Sequence, residues 1–152
     1  MASLQVFLNE GGAKVGRPII GANSVTFSKG DPLEVDASGF LIISVAGNKI
    51  IGWALEDVIL ASDNQTVAQL TPVYAEARDV EMVLIADQAA VQGDVGAYAN
   101  IVGTTSGAFK VNLATGTSGQ LFVTQIDPFG TGDTTAVVVK VAENQADAYA
   151  QV

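Results

Sequence analysis

Apolar and polar residues alternate over short stretches along most of this chain, with Gly, Ser, Asp and Asn placed between them, and that rhythm predicts strands joined by tight turns. The stretch GDPLEVDASGFLIISVAGNKIIGWALED, residues 30–57, organises the rest. Leu33 and Val35 alternate with Glu34 and Asp36, the period of a half-buried strand, and Ala37-Ser38-Gly39 supplies a reversal. Residues 40–45 form a continuous apolar run, too short for an ordinary helix and rich in β-branched residues, which predicts a strand covered on both faces. After Gly47-Asn48, residues 50–55 place Ile51, Trp53 and Leu55 on one face, and Gly52 leaves room for a neighbouring backbone. The expected unit is a three-strand meander holding the sole Trp.

The same reading extends outward in both directions. Leu4, Val6 and Leu8 alternate with Gln5, Phe7 and Asn9, and Gly11-Gly12 separates this strand from the rest of the chain. It either pairs away from its own domain or forms the first strand of the core. Arg17-Pro18 predicts extended chain, and Val25 and Phe27 among Ser and Thr predict another short strand. Residues 58–72 read as loop with short strands. Residues 73–86 read as one long strand, with Glu76 and Arg78 on one face. Asp87 can cap a short helix over residues 87–91 (DQAAV). Phe109, Val111 and Leu113 alternate with Lys110 and Asn112, which predicts a hairpin with residues 97–102. A strand over 121–126 and a last one carrying Val137, Val139 and Val141, with Lys140 facing out, complete the pattern. Gly30-Asp31 and Gly93-Asp94 form a weak internal echo, which reads either as chance in a chain with 16 glycines or as the trace of a duplication.

These elements predict a mainly β protein, a small β-barrel or sandwich built of meanders and hairpins, with an extended N-terminal arm and at most one or two short helices. The expected organisation is an arm or first strand over residues 1–22, a β domain over 23–143 and a C-terminal tail over 144–152. A chain of 152 residues making one domain can bury roughly 70% of its unfolded surface.

Charge narrows the choice of partners. The net charge is −9, but three basic residues against one acidic residue give +2 up to Gly30, whereas four basic against fifteen acidic give −11 from Asp31 onward. Without a basic cluster to displace counterions from phosphates, nucleic acid and anionic membranes are poor partners. No apolar run approaches the roughly 20 residues of a membrane helix, and Met1-Ala2-Ser3 opens without signal-peptide regions, so export through that route is not expected.

Candidate chemistry is sparse. The chain has neither His nor Cys, which removes the commonest neutral-pH base and the usual transition-metal ligands. Glu56 and Asp57 point to opposite faces of a strand and cannot act as an acid/base pair. Glu76, Arg78, Asp79 and Glu81 form a charged cluster, in which Glu76 and Arg78 read either as a plain exposed face or as charges that pair with a neighbouring subunit. The loop over 127–133 holds two Asp and two Gly, which suits either ordinary turn usage or a calcium ion, although not with EF-hand spacing. Residues 103–107 lack the Gly-Lys-Ser/Thr ending of a phosphate loop. Trp53, Tyr74, Tyr98 and Tyr149 are dispersed in sequence. The chain is therefore not expected to be an enzyme, and nothing in it calls for a cofactor or a metal.

At Gly30-Asp31-Pro32-Leu33, Ser38-Gly39-Phe40 and Ile50-Ile51-Gly52-Trp53-Ala54-Leu55-Glu56 the chain resembles the capsid decoration, or cement, proteins of tailed bacteriophages. In that family a Gly-Asp strand, a Gly turn and an apolar-Gly-apolar-Ala strand succeed one another in a small β-barrel. The likeness covers the first half of the body, and its motifs are structural. It implies a homotrimer on the outer surface of the virion head, assembled in the host cytoplasm, with the major capsid protein as partner. The N-terminal arm, through Leu4, Val6, Phe7, Leu8, Lys14 and Arg17, would then add a strand to a capsid protein sheet. The rival expectations are another virion β-domain, associated with a tail tube or fibre, and a carbohydrate-binding module for host attachment.

Overall fold

In the computed structural model, which describes residues 5–8, 14–78, 80–103, 105–116 and 119–142, the chain is mainly β, and its strands form two packed β-structures. The C-terminal half closes on itself. Strands β8 (Met82–Ala86), β10 (Lys110–Gly116), β9 (Tyr98–Val102), β11 (Leu121–Ile126) and β12 (Ala136–Val141) pair in that order, and β12 returns to β8 to complete a five-stranded barrel. Every pairing is antiparallel except β8 with β10. The period-2 alternation read in the sequence aims Met82 and Leu84, Ile101, Val111, Leu121 and Val123, and Val137, Val139 and Val141 into one core, while Lys140 stays exposed. The expected hairpin is β9 with β10, in register Val111↔Ile101.

The N-terminal half builds a four-stranded sheet in the order β4 (Leu41–Ile43), β3 (Pro32–Val35), β5 (Gly52–Ala54) and β7 (Tyr74–Glu76). A two-stranded ribbon, β2 (Thr26–Phe27) with β6 (Val58–Ile59), lies apart from it in the pairing. Residues 14–22 complete the sheet's two edges, Val15 bridging to Ala75 on β7 and Gly21 to Leu41 on β4. Phe27, Leu33, Leu41, Ile51, Ala54, Leu60 and Tyr74 form this half's own buried cluster. Trp53 is fully buried and belongs to the barrel's core instead, so β5 contributes to both.

Three expectations are corrected by the pairing. The central strands do not meander: β3, not β4, is the middle strand and takes β5 on its free edge, Leu33↔Gly52, because residues 44–50 carry the chain from one side of β3 to the other. Ser44 N–H bonds Pro32 O at 2.8 Å on one flank, and Ile51 N–H bonds Leu33 O at 2.8 Å on the other. As a result Ile51 packs in the N-terminal core while Trp53 and the half-buried Leu55 face the barrel, not one shared face. The long strand expected over 73–86 is two strands in different sheets, β7 and β8, parted where Ala77 N–H turns to Ile51 O and Val80 N–H to Ala77 O. Residues 87–91 are not helical. Asp87 N–H goes to Val111 O on β10 and Ala90 N–H to Thr134 O ahead of β12, so the backbone here is bonded to distant parts of the chain, and a single 3₁₀ turn comes next at Gln92–Asp94. A short π-type turn at Asn64–Ala68 occupies part of the stretch read as loop, and the buried Asn64 side chain ties it to Gly21 O at 2.7 Å.

The two Gly-Asp pairs do unlike things. Gly30 takes a left-handed φ of 91° and delivers Asp31 into the interior, whereas Asp94 caps its own exposed turn through Val91 N–H. No duplicated role links them.

Candidate functional site

The N-terminal strand decides how the two halves meet. β1 (Gln5–Phe7) pairs antiparallel with β8 of its own chain, Gln5↔Leu84, Val6↔Val83 and Phe7↔Met82, and Leu8 N–H continues the ladder to Glu81 O. Of the two readings left open by the sequence, residues 5–8 therefore take the second, a strand of their own domain. β1 takes the edge of β8 at Met82–Leu84, and β10 pairs at the next two residues, Ile85 and Ala86. Its Gln5 side chain fills the junction. Oε1 accepts Phe109 N–H at 2.9 Å, and Nε2 donates to Asp31 Oδ1 at 2.9 Å.

Asp31 is fully buried at the centre of this junction. Its Oδ1 also accepts Gly107 N–H at 2.8 Å, and its Oδ2 accepts Ser28 N–H at 2.8 Å and the Ser106 hydroxyl at 2.5 Å. One carboxylate thus joins the N-terminal strand, the 28–31 turn and the 105–108 connection of the barrel. A buried carboxylate persists only with such donors around it. A second polar pin sits elsewhere along the seam. Buried Gln120 accepts Ile101 N–H at 2.9 Å and Gly47 N–H at 3.3 Å, and donates to Val45 O at 3.2 Å and to Asn48 O, which fastens the turn after β4 to the barrel.

The predicted contact residues fall in different places. Leu4 lies outside the described residues. Phe7 is buried in the barrel core and so serves the fold, whereas Val6 and Leu8, each 42% exposed, point outward from β1. Among the described residues no strand covers the other edge of β1. Lys14 and Arg17 lie on the segment that borders β7. Lys14 Nζ stands 3.7 Å from Glu76 Oε2, a surface ion pair worth about 0–1 kcal/mol. Glu76 therefore has an ion-pair partner within its own chain. Arg78 is exposed on the turn after β7, beyond the strand that holds Glu76, so the two do not share a strand face. Tyr74 beneath this segment keeps its proton to higher pH than usual because burial, and then Glu76, disfavour the phenolate, with Arg17 opposing them.

Several carboxylates outside the junction serve the backbone. Glu56 accepts Val73 N–H and Asp57 accepts Lys29 N–H, so the adjacent pair caps two separate segments. Asp127 accepts Thr131 and Gly132 N–H groups within its own loop, and Asp133 accepts from Thr135, which is turn chemistry. Among the described residues no three acidic side chains gather as a metal cluster. On the barrel's outer face Tyr98 meets Phe122 edge-on at 5.4 Å, and Lys140 Nζ stands 5.9 Å from the Phe122 ring. Ile59, Val67, Leu70 and Phe129 add apolar side chains more than half exposed on loops and short strands.

Gln5, Asp31, Ser106 and Gln120 do not stand out in the sequence. Asp31 alone leaves a trace there, an acidic residue between a glycine and a proline at the head of an apolar strand. No protein-family model matches the chain, and neither does any curated protein or solved structure.

Proposed function

We propose that the chain is a structural virion protein, a capsid decoration protein that binds the outer surface of a tailed-phage head as a homotrimer and bridges neighbouring major capsid protein subunits. The observation that carries this reading is the edge strand β1, which presents Val6 and Leu8 from a body whose buried polar side chains are committed to joining two β-cores. An edge with outward apolar residues suits strand addition by a capsid protein segment, main-chain hydrogen bonds giving affinity and alternation giving register. The motif residues of the resemblance belong to the same body, since Gly30 to Leu33, Gly39 and Ile50 to Glu56 lie on β3 and β5 and in the turns beside them. Three linked copies would reach high avidity from modest contacts. In this reading the chain performs no catalysis and takes no cofactor.

The test is co-sedimentation of purified chain with expanded heads assembled from the major capsid protein of the same genome. Saturable binding that Leu8→Glu weakens at least tenfold supports the reading, and heads that sediment without the chain refute it. A second reading, carbohydrate binding, draws on the Tyr98–Phe122 pair. Loss of glycan-array binding in Tyr98→Ala would favour it. A third, a tail-tube or fibre β-domain, would show rings or fibres in place of head binding.

A further inference from the structure

The barrel differs in charge from the rest of the chain. From Asp31 onward four basic residues stand against fifteen acidic ones, yet none of the five barrel strands carries Asp or Glu, and two of those four basic residues, Lys110 and Lys140, lie on them. Alternation sends Ala99, Ile101, Leu121, Val123, Val139 and Val141 into the core, which places Tyr98, Asn100, Phe122 and Lys140 on the outer face. Phe122 is the register partner of Tyr98 on one side and of Lys140 on the other, so the three stand in one row across β9, β11 and β12, about 10 Å long at two strand spacings. Tyr98, 38% exposed, meets Phe122 edge-on, and Lys140 Nζ stands 5.9 Å from the Phe122 ring. Asn100 lies two residues along β9 from Tyr98. Its Oδ1 accepts Gln120 N–H at 3.0 Å, which fixes the amide and leaves Nδ2 to donate. Glu81, ahead of β8, approaches this face at the Thr124 hydroxyl, 3.5 Å away.

We infer that this row binds an acidic saccharide, one in which neutral and carboxylate-bearing sugar rings adjoin. A neutral ring lays its C–H face on the aromatic side chains, its hydroxyls accept from the Asn100 amide, and the carboxylate of the adjoining sugar meets Lys140, with Lys110 adding positive potential from β10. Charge selects this ligand over a nucleic acid, which needs a set of Lys and Arg to displace its counterions and meets a body of net charge −9 with only two lysines on this face. The inference names the ligand class for the carbohydrate reading given above and rests on it; attachment to a head is not required.

The test is an NMR titration of the full chain with a hyaluronan octasaccharide, in which uronate and neutral sugar alternate, beside its carboxyl methyl ester and a thymidine oligonucleotide. Saturable shifts of the Tyr98, Phe122 and Lys140 amides are expected with the acidic octasaccharide, weakened about fivefold by Lys140→Gln and by added salt, and abolished by Tyr98→Ala. Both side chains are on the surface, so both variants keep the circular dichroism of the parent chain. Equal binding of the methyl ester overturns the inference and leaves the carbohydrate reading standing. Absence of binding to the acidic octasaccharide overturns the inference, and binding to neutral glycans on an array then decides the broader reading. Shifts of this row with the oligonucleotide in place of the octasaccharide also overturn it, in favour of single-stranded nucleic acid.

Discussion

Asp31 Oδ1 accepts the backbone N–H of Gly107 at 2.8 Å, a contact that crosses 76 residues of chain and ties the N-terminal sheet to the barrel. Asp31→Ala leaves the Gly107 and Ser28 N–H groups without an acceptor in a buried site and frees Gln5 and Ser106. Each orphaned buried donor costs about 1–3 kcal/mol, so a loss of about 3 kcal/mol is expected. Urea unfolding followed by circular dichroism measures it. A change below about 1 kcal/mol would mean that the carboxylate does not join the halves.

Gly52 shows what the close strand spacing requires. A Cβ at this position would lie 2.2 Å from Ala75 O and 2.6 Å from the Tyr74 ring, and a backbone carbonyl fixed in the β5–β7 ladder has little room to retreat. Gly52→Ala is therefore expected to lower stability by about 3 kcal/mol, although alanine is otherwise harmless in a strand. Thermal unfolding of Gly52→Ala beside the exposed control Gly93→Ala tests this, since the control meets nothing within 4 Å.

Trp53 separates the effect of volume from that of hydrogen bonding. Its ring is fully buried, and its indole N–H finds no partner among the described residues. Trp53→Ala should cost about 3–5 kcal/mol through the cavity it leaves. Trp53→Phe removes no hydrogen bond and keeps most of the packing, so about 1–2 kcal/mol is expected. Equal losses in chemical denaturation would show that the indole N–H matters after all.

Asp133 supplies a pH prediction. The Thr135 hydroxyl, and then its backbone N–H, hold the Asp133 carboxyl below the usual carboxylate value. A carboxylate with a depressed folded-state pKa stabilises the fold above its unfolded value, and the contribution fades as pH falls through the folded value. Thr135→Val removes the hydroxyl and leaves the N–H, so the Asp133 titration should move up only part of the way. Carbon-detected NMR titration reads it directly, and an unchanged midpoint would discount the hydroxyl.

Local pattern was legible where one face of a strand meets a core. Leu121 to Ile126, the β9–β10 hairpin and the inward Val137, Val139 and Val141 are all where period-2 alternation places them. Order in the sheet was not legible, because Leu33 pairs equally well with Ile43 or Gly52 and only the path of residues 44–50 makes β3 central. The Ala-rich stretch after Asp87 reads as helix from propensity, yet Val111 O and Thr134 O claim its N–H groups. The polar junction was hidden for the same reason: Gln5, Asp31 and Ser106 are ordinary surface residue types until folding brings positions 5, 31 and 106 together. The alternation of Leu4, Val6 and Leu8 with Gln5, Phe7 and Asn9 did not reveal that Phe7 is core while Val6 and Leu8 face out.

The most direct trial of the capsid role is a cryo-EM reconstruction of heads bearing the purified chain, compared with bare expanded heads. The proposal predicts added density at threefold or quasi-threefold positions on the outer surface, with β1 lying along a capsid protein strand and bridging two capsomers. Identical bare and treated heads, or density confined to a tail or fibre, would contradict it.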